Sequence, residues 1–355
     1  MSVVRETVIG ILLAVGAVHA QNPPHPLLGT GWGLDHMTVM QRSAEDARQS
    51  FSKLGFSIRL GTKFPDTGVE NSTIPLPPGY LELMWVYDPA KIEGFAKAAG
   101  LSAVIEAANR RIQERGGLIQ AYNIDVSPID QAASFLRGRG VKVSLPPSQT
   151  VIQDGKAQPG QWQFLGISYE NPKSAPPEGV PGGQGVGFLE YRNNEERLTE
   201  DRVRQMRERI EREVPDARRR PGDLNANTAR KLESVWVVVS NVEEAVKQSE
   251  SMGFAPGRER TLAELGARGR EVQCGQGTIV FWTAGKKKGA ISAMIQKGEL
   301  GPFGVSFGVE NINRAHAVAE QGTGKKLRIQ RDGGRRRFLV PAEAAGGIWV
   351  EFVQL

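Results

Sequence analysis

Two side chains near the start of the chain are placed to share chemistry. His36 lies in Gly33-Leu34-Asp35-His36-Met37-Thr38-Val39, and Glu82 in Gly79-Tyr80-Leu81-Glu82-Leu83-Met84-Trp85. Both stretches read as strands. The first alternates Leu34, His36 and Thr38 with Asp35, Met37 and Val39. The second is apolar and aromatic except for one carboxylate, which costs free energy to bury unless the charge has a partner. An imidazole on another strand of the same sheet, sharing a metal ion with Glu82, would be such a partner. Read alone, His36 is either such a ligand or a satisfied core or surface histidine.

The elements around this pair recur. Ser43 caps a helix to Leu54 with Ala47, Phe51 and Leu54 inward, and Gly55 ends it. Strands follow at 56–60, 71–76 and 79–85. A second round runs from a strand at 118–124 through a helix after Ser127, with strands at 141–145 and 161–169, to Gly187-Phe188-Leu189-Glu190-Tyr191. Aligning Ser43 with Ser127 sets Gln120 opposite His36, and aligning the closing strands sets Glu190 opposite Glu82. Gln120 alone also reads as polar edge surface, and Glu190 as a solvent-facing strand residue. Third and fourth rounds begin at Leu232 and Phe303. There His36 becomes Ser234 and then Gly304, and the carboxylate survives only as Glu351. The fold class expected is α+β, with four βαβββ modules forming two paired half-barrel domains at 31–192 and 231–355. The stretch 193–230, dense in alternating charge with a thin stripe of Val203, Met206, Ile210 and Val214, reads as an exposed helical linker.

The chain has 355 residues, 39% hydrophobic and 24% charged, enough for two domains with substantial cores. The net charge of +6 is concentrated in short runs such as Arg218-Arg219-Arg220 and Lys286-Lys287-Lys288. No aromatic stacking surface accompanies them, so they read as solvated loops and not as a nucleic-acid site. Cys274 is the single cysteine, which excludes an intramolecular disulfide and a cysteine zinc site; it reads as a small core residue. Thr7 to Val18 is apolar and too short to span a bilayer comfortably, and Val18-His19-Ala20 before Gln21 reads as a cleavage site. We therefore expect a signal peptide at 1–20, an extended leader at 21–30 that leaves His25 outside the fold, no stable membrane insertion after cleavage, and a periplasmic or secreted protein.

Leu34-Asp35-His36, Gly68-Val69-Glu70-Asn71 and Tyr80-Leu81-Glu82-Leu83, set in four paired modules, resemble the glyoxalase-like domain family of the vicinal oxygen chelate superfamily. The resemblance is clearest over 31–192 and one of pattern only over 231–355. It implies one divalent metal ion in the first pair, held by His36, Glu82, Gln120 and Glu190, with Glu190 also the catalytic base. That donor set suits zinc, nickel, cobalt or manganese, and the lack of a second imidazole disfavours iron. The implied reaction is that of a lyase or isomerase moving a proton through a metal-stabilised enediolate of a small molecule with vicinal oxygens. Asn71, Trp85, Tyr122 and Trp162 are the expected substrate contacts. The same fold serves other activities, so a non-catalytic binder of the bleomycin-resistance type and an extradiol-dioxygenase-like oxidoreductase stay open.

Overall fold

The computed structural model describes residues 25–355 except 99, 154, 172–173 and 193–199. The expected signal peptide at 1–20, with His19 and the cleavage site, lies outside the described residues. Among those described, no helix is long and apolar enough to cross a membrane.

The first module is β1 (Gly33–Gln41), α1 (Ala44–Ser52), β2 (Arg59–Phe64), β3 (Val69–Leu76) and β4 (Gly79–Val86). Ser43 caps α1 as expected, its side chain accepting from the Asp46 N–H. Helices α2 (Pro89–Ala98) and α3 (Ser102–Arg115) then intervene before the second module, an insertion the recurrence does not announce. That module comprises β5 (Gly117–Asp125), α4 (Ile129–Arg137), β6 (Lys142–Ser144), β7 (Thr150–Gln153), β8 (Lys156–Pro159), β9 (Trp162–Phe164), β10 (Gly166–Ser168) and β11 (Val186–Tyr191). Nine strands form one curled sheet in the order β8-β7-β2-β3-β4-β1-β5-β11-β9, while β6 and β10 pair separately. The hairpin β7–β8 belongs to the second module yet pairs with β2 of the first. Its exit leads directly into β9 at the opposite edge, so the two ends of the sheet are joined by Gly160-Gln161 and the sheet curls into a cup.

After α5 (Glu200–Glu213), the second half repeats the pattern. Its elements are β12 (Ala229–Val238), α6 (Val242–Ser251), β13 (Pro256–Leu262), β14 (Ala267–Cys274), β15 (Gly277–Ala284), α7 (Ala290–Gln296), β16 (Gly301–Val309), α8 (Ile312–Thr323), β17 (Gln330–Asp332), β18 (Arg335–Val340) and β19 (Trp349–Gln354). Eight of them make a sheet in the order β13-β14-β15-β12-β16-β19-β18-β17. Four modules in two curled sheets are thus present.

The two halves share one core. Strand β12 packs against β1, β3 and β4, and β16 against β5. Phe56 stacks on Phe352 and meets Phe307 edge-on. Gln41 donates to the Gly346 carbonyl, and Gly33 and Gly275 form a β-bridge.

Two segments differ from expectation. The leader is packed from residue 25 onward. His25 Nδ1 accepts from the Leu27 and Leu28 N–H groups, its ring lies against Phe254, and Leu27 and Leu28 are buried. Their apolar side chains fill space between the halves, which an extended leader in solvent leaves empty. The expected linker is exposed only in part. Its α5 buries Ile210, and the residues after it enter the core. Asn225 Oδ1 accepts from the Ser57 N–H and Asn227 Nδ2 donates to the Leu54 carbonyl, so both are fully buried between the halves.

Candidate functional site

The concave face of the first sheet encloses a cavity of about 460 Å³. Strand alternation decides which side chains enter it. From β4 these are Tyr80, Glu82 and Met84; from β1, His36 and Thr38; from β11, Leu189 and Tyr191. Asn71 on β3 and Asn123 on β5 complete the floor. Phe64, Trp162 and Phe164 form an aromatic wall, with Phe64 and Trp162 ring centroids 6.3 Å apart.

The floor is a hydrogen-bonded network. Asp35 precedes His36 in sequence, and strict alternation would send it to the other face. A β-bulge at Asp35, between the Leu34–Ile124 and His36–Asn123 pairs, brings its carboxylate beside the ring instead. His36 Nδ1 lies 2.6 Å from Asp35 Oδ2, so Nδ1–H donates and Nε2 is left as the acceptor. Asn123 Nδ2 donates to it at 2.8 Å. Tyr191 donates to Asp35 Oδ2, and Tyr80 stacks on the imidazole at 4.4 Å. Glu82 is satisfied separately, with Asn71 Nδ2 at 2.6 Å from one oxygen and Thr38 Oγ1 at 2.8 Å from the other. His36 Nε2 and Glu82 Oε2 stand 4.0 Å apart, and both residues are less than a tenth exposed.

The expected ligand set is only half assembled. His36 and Glu82 face one cavity. Gln120 reaches its rim as an exposed residue. Glu190 points to the opposite face of β11, where it accepts from Ser127 Oγ at 2.7 Å and from the Ile129 N–H at 3.2 Å, anchoring the start of α4. The pairing of β1 with β5 explains the mismatch. Met37 pairs with Tyr122, and bulged residues lie two positions before each of them, Asp35 on one strand and Gln120 on the other. The local two-fold axis therefore passes through Met37 and Tyr122. It relates His36 to Ala121 and Thr38 to Asn123. Glu82 pairs with Thr38 and Gly187 pairs with Asn123, so Glu82 corresponds to Gly187. The second module offers a methyl group and a hydrogen where the first offers an imidazole and a carboxylate. A β-carbon at 187 would collide with Asn123 Oδ1, so the amide occupies the space of the missing carboxylate.

These residues do not fit the expected divalent centre. His36 and Glu82 are already bonded to Asn123, Thr38 and Asn71, and no group of three His, Cys, Asp or Glu side chains converges among the described residues. Two expected substrate contacts are likewise corrected. Trp85 stands three residues from Glu82, an odd spacing that sends it into the core. Tyr122 is fully buried on the convex face and donates to the Gly179 carbonyl. Asn71 and Trp162 do line the cavity. Sequence reasoning missed Asp35, Thr38, Tyr80, Asn123 and Tyr191. Tyr80 was accessible to it, being two residues from Glu82; the bulge that recruits Asp35 has no signature in residue type.

The fold has counterparts. A hypothetical protein from Staphylococcus aureus superposes with a TM-score of 0.54 at 14% identity, over 91% of this chain and 98% of that one. A triple mutant of 4-hydroxymandelate synthase from Streptomyces coelicolor gives 0.54 at 11%, over 91% and 92%. Methylmalonyl-CoA epimerase from Mycobacterium tuberculosis covers 36% of this chain and 89% of its own, at 16% identity and a TM-score of 0.32. No curated protein matches the sequence. A family model described as a glyoxalase-like domain matches residues 34–253, a span holding the first cup, the inserted helices and the start of the second half. With four modules in two curled sheets and the His36–Glu82 cup at the centre of the first, the chain belongs to the glyoxalase-like domain family of the vicinal oxygen chelate superfamily.

Proposed function

We propose that the first cup binds a flat small molecule carrying vicinal oxygens, and does so without a metal ion. The observation that supports this is the facing of the second module: Glu190 is turned outward, and Ala121 and Gly187 stand where further ligands would be needed. What remains is a satisfied polar floor under an aromatic wall, the arrangement that orients a small ligand by a few hydrogen bonds and buries its flat body. Glu82 accepts a ligand hydroxyl, Asn71 and Asn123 exchange partners with its oxygens, and Trp162 covers its ring. The expected metal-assisted enediolate reaction lacks a third ligand, and its expected base, Glu190, is turned away from the cup. Catechol is a suitable probe. We expect chelator-treated protein to bind it at one site, with Trp162→Ala reducing affinity at least tenfold and added Zn²⁺, Ni²⁺ or Mn²⁺ changing nothing. Binding that appears only when a divalent ion is added refutes this reading.

One contact favours a second reading. Asp35 fixes the His36 tautomer so that Nε2 bears a lone pair toward the cup, the geometry of a general base. If Asn123 yields its place to a ligand, His36 takes a proton from that ligand. Solvent-deuterium exchange into the bound molecule, lost in His36→Asn, distinguishes catalysis from binding. The apolar stretch before Gln21 supports a site that works outside the cytoplasm; recovery of mature protein from the cytosol with Met1 intact refutes export.

A further inference from the structure

The concave face of the first sheet runs on past the cup. Further along it, under the inserted helices α2 and α3, lies a second cavity of about 580 Å³. Alternation along two central strands links the two cavities. On β4, Glu82 and Met84 line the cup and Val86 lines the second cavity; on β1, His36 and Thr38 line the cup and Met40 lines the second cavity. A step of two residues along a strand is about 7 Å, so the cavities adjoin. Thr38 pairs with Glu82 and Met40 with Met84, which sets the two methionines side by side at the boundary. Ile92 of α2 packs against the same apolar cluster as Trp162 of the aromatic wall, together with Met84 and Val86.

The interior of the second cavity is apolar. Helix α2 contributes Ile92 and Ala96, four residues apart, and α3 contributes Ile105 and Ile112, seven apart, each pair forming one inward stripe. Met40 and Val86 line it from the sheet. Apart from Gln41, which donates to the Gly346 carbonyl, its polar side chains are exposed and form the rim. In the second half the corresponding insertion is α7, which buries Ile291 in one cluster with Trp236 and Trp282, while Arg260 and Arg337 draw onto Glu351. Helices α2 and α3 leave a cavity beneath them instead. Methionine suits a movable boundary, being unbranched and able to repack.

We propose that this cavity is the tail subsite of the first cup, taking a straight alkyl chain carried by the ligand whose oxygenated ring sits in the cup. The inference rests on the reading of the cup as a site for a flat molecule with vicinal oxygens, and it adds the chemical class, an alkyl-substituted one. A ring held at Glu82 and directed along β4 presents its far edge at Met84. A chain on that edge passes between Met84 and Met40 into the space lined by Val86, Ile92 and Ile105. Each methylene buried there should tighten binding about fourfold.

The test is calorimetric titration of full-length, chelator-treated protein with catechol, 4-methylcatechol, 4-hexylcatechol and 1-hexanol, the last having the tail without the diol. 4-Hexylcatechol should bind at one site per chain, at least about thirtyfold more tightly than 4-methylcatechol, and be displaced by both catechol and hexanol. Ala96→Phe fills the cavity and should reduce that ratio to about threefold or less, with catechol affinity unchanged. If Ala96→Phe fails to fold, Ile105→Gln, at a half-buried position, sets an amide in the path of the tail and should reduce the ratio at least about fivefold. Catechol binding with no gain from the hexyl chain, or a gain that survives in the variant that folds, overturns the tail subsite and leaves the reading of the cup standing. Hexanol binding that this variant abolishes, without binding of catechol, supports the apolar subsite and overturns the reading of the cup. Binding of none of the four overturns both.

Discussion

Replacing Glu190 by alanine separates the two roles open to that residue. As a metal ligand and base it would matter for chemistry and little for folding. In the structure its carboxylate accepts from Ser127 Oγ and from the Ile129 N–H at the start of α4. A half-buried site lets water replace part of what is lost, so each bond is worth about 1 kcal/mol. Its charge at the helix N-terminus adds roughly 0.3–1 kcal/mol. The expected loss is therefore about 2–3 kcal/mol, which at about 2–4 °C per kcal/mol for domains of roughly 150–250 residues lowers the melting temperature by about 5–12 °C. Glu190→Gln keeps an acceptor for one of the two donors, which bond to different carboxylate oxygens, and should lose less than Glu190→Ala. The assay is thermal unfolding of the three proteins beside catechol titration at a temperature where all are folded. Affinity should be unchanged. A Glu190→Ala protein that melts like the parent and no longer binds would refute the assignment.

Three further outcomes follow from particular contacts. Glu82→Ala strands the Asn71 amide and the Thr38 hydroxyl and should cost about 2–4 kcal/mol in denaturant unfolding, whereas Glu82→Gln, which retains an acceptor and the shape, should cost about 1 kcal/mol. Gly187→Ala drives a methyl group into Asn123 Oδ1 and pulls the amide from His36; we expect a loss of about 1–3 kcal/mol and weaker catechol binding, and an unaltered protein would show that the amide is not held there. Cys274 is fully buried, and burial pushes its thiol well above the ordinary range. It should resist a thiol-specific chromogenic reagent at pH 8 in native protein and react once denaturant unfolds it.

The four-fold recurrence was legible because it is written in helix caps, glycine stops and apolar periodicity, all local signals. His36, Glu82 and Asn71 were legible for the same reason: each lies in a short motif on one strand. The residues that failed did so through parity and pairing. Glu190 and Trp85 lie on recognisable strands, but the face each presents depends on register with a neighbour. Counting by twos from Glu82 excludes Trp85. It cannot place Glu190, whose register follows from bulges at Asp35 and Gln120 that have no mark in residue type. Aligning the modules on Ser43 and Ser127 misses the true offset by one residue, enough to exchange Ala121 for Gln120. The burial of Leu27, Asn225 and Asn227 was hidden because it depends on the other half of the chain.

The shared core has a consequence for descent. A duplicated half that loses its imidazole would ordinarily be free to decay and be trimmed away. Here Phe56 rests on Phe307 and Phe352, and Gln41 is held by Gly346, so discarding the second half would bare the underside of the first. The copy is retained as scaffolding whatever its cup does. Selection for folding then acts on its convex face and leaves the concave face at liberty to vary. A pair of arginines could settle around Glu351 without risk to the His36 cup on the other side.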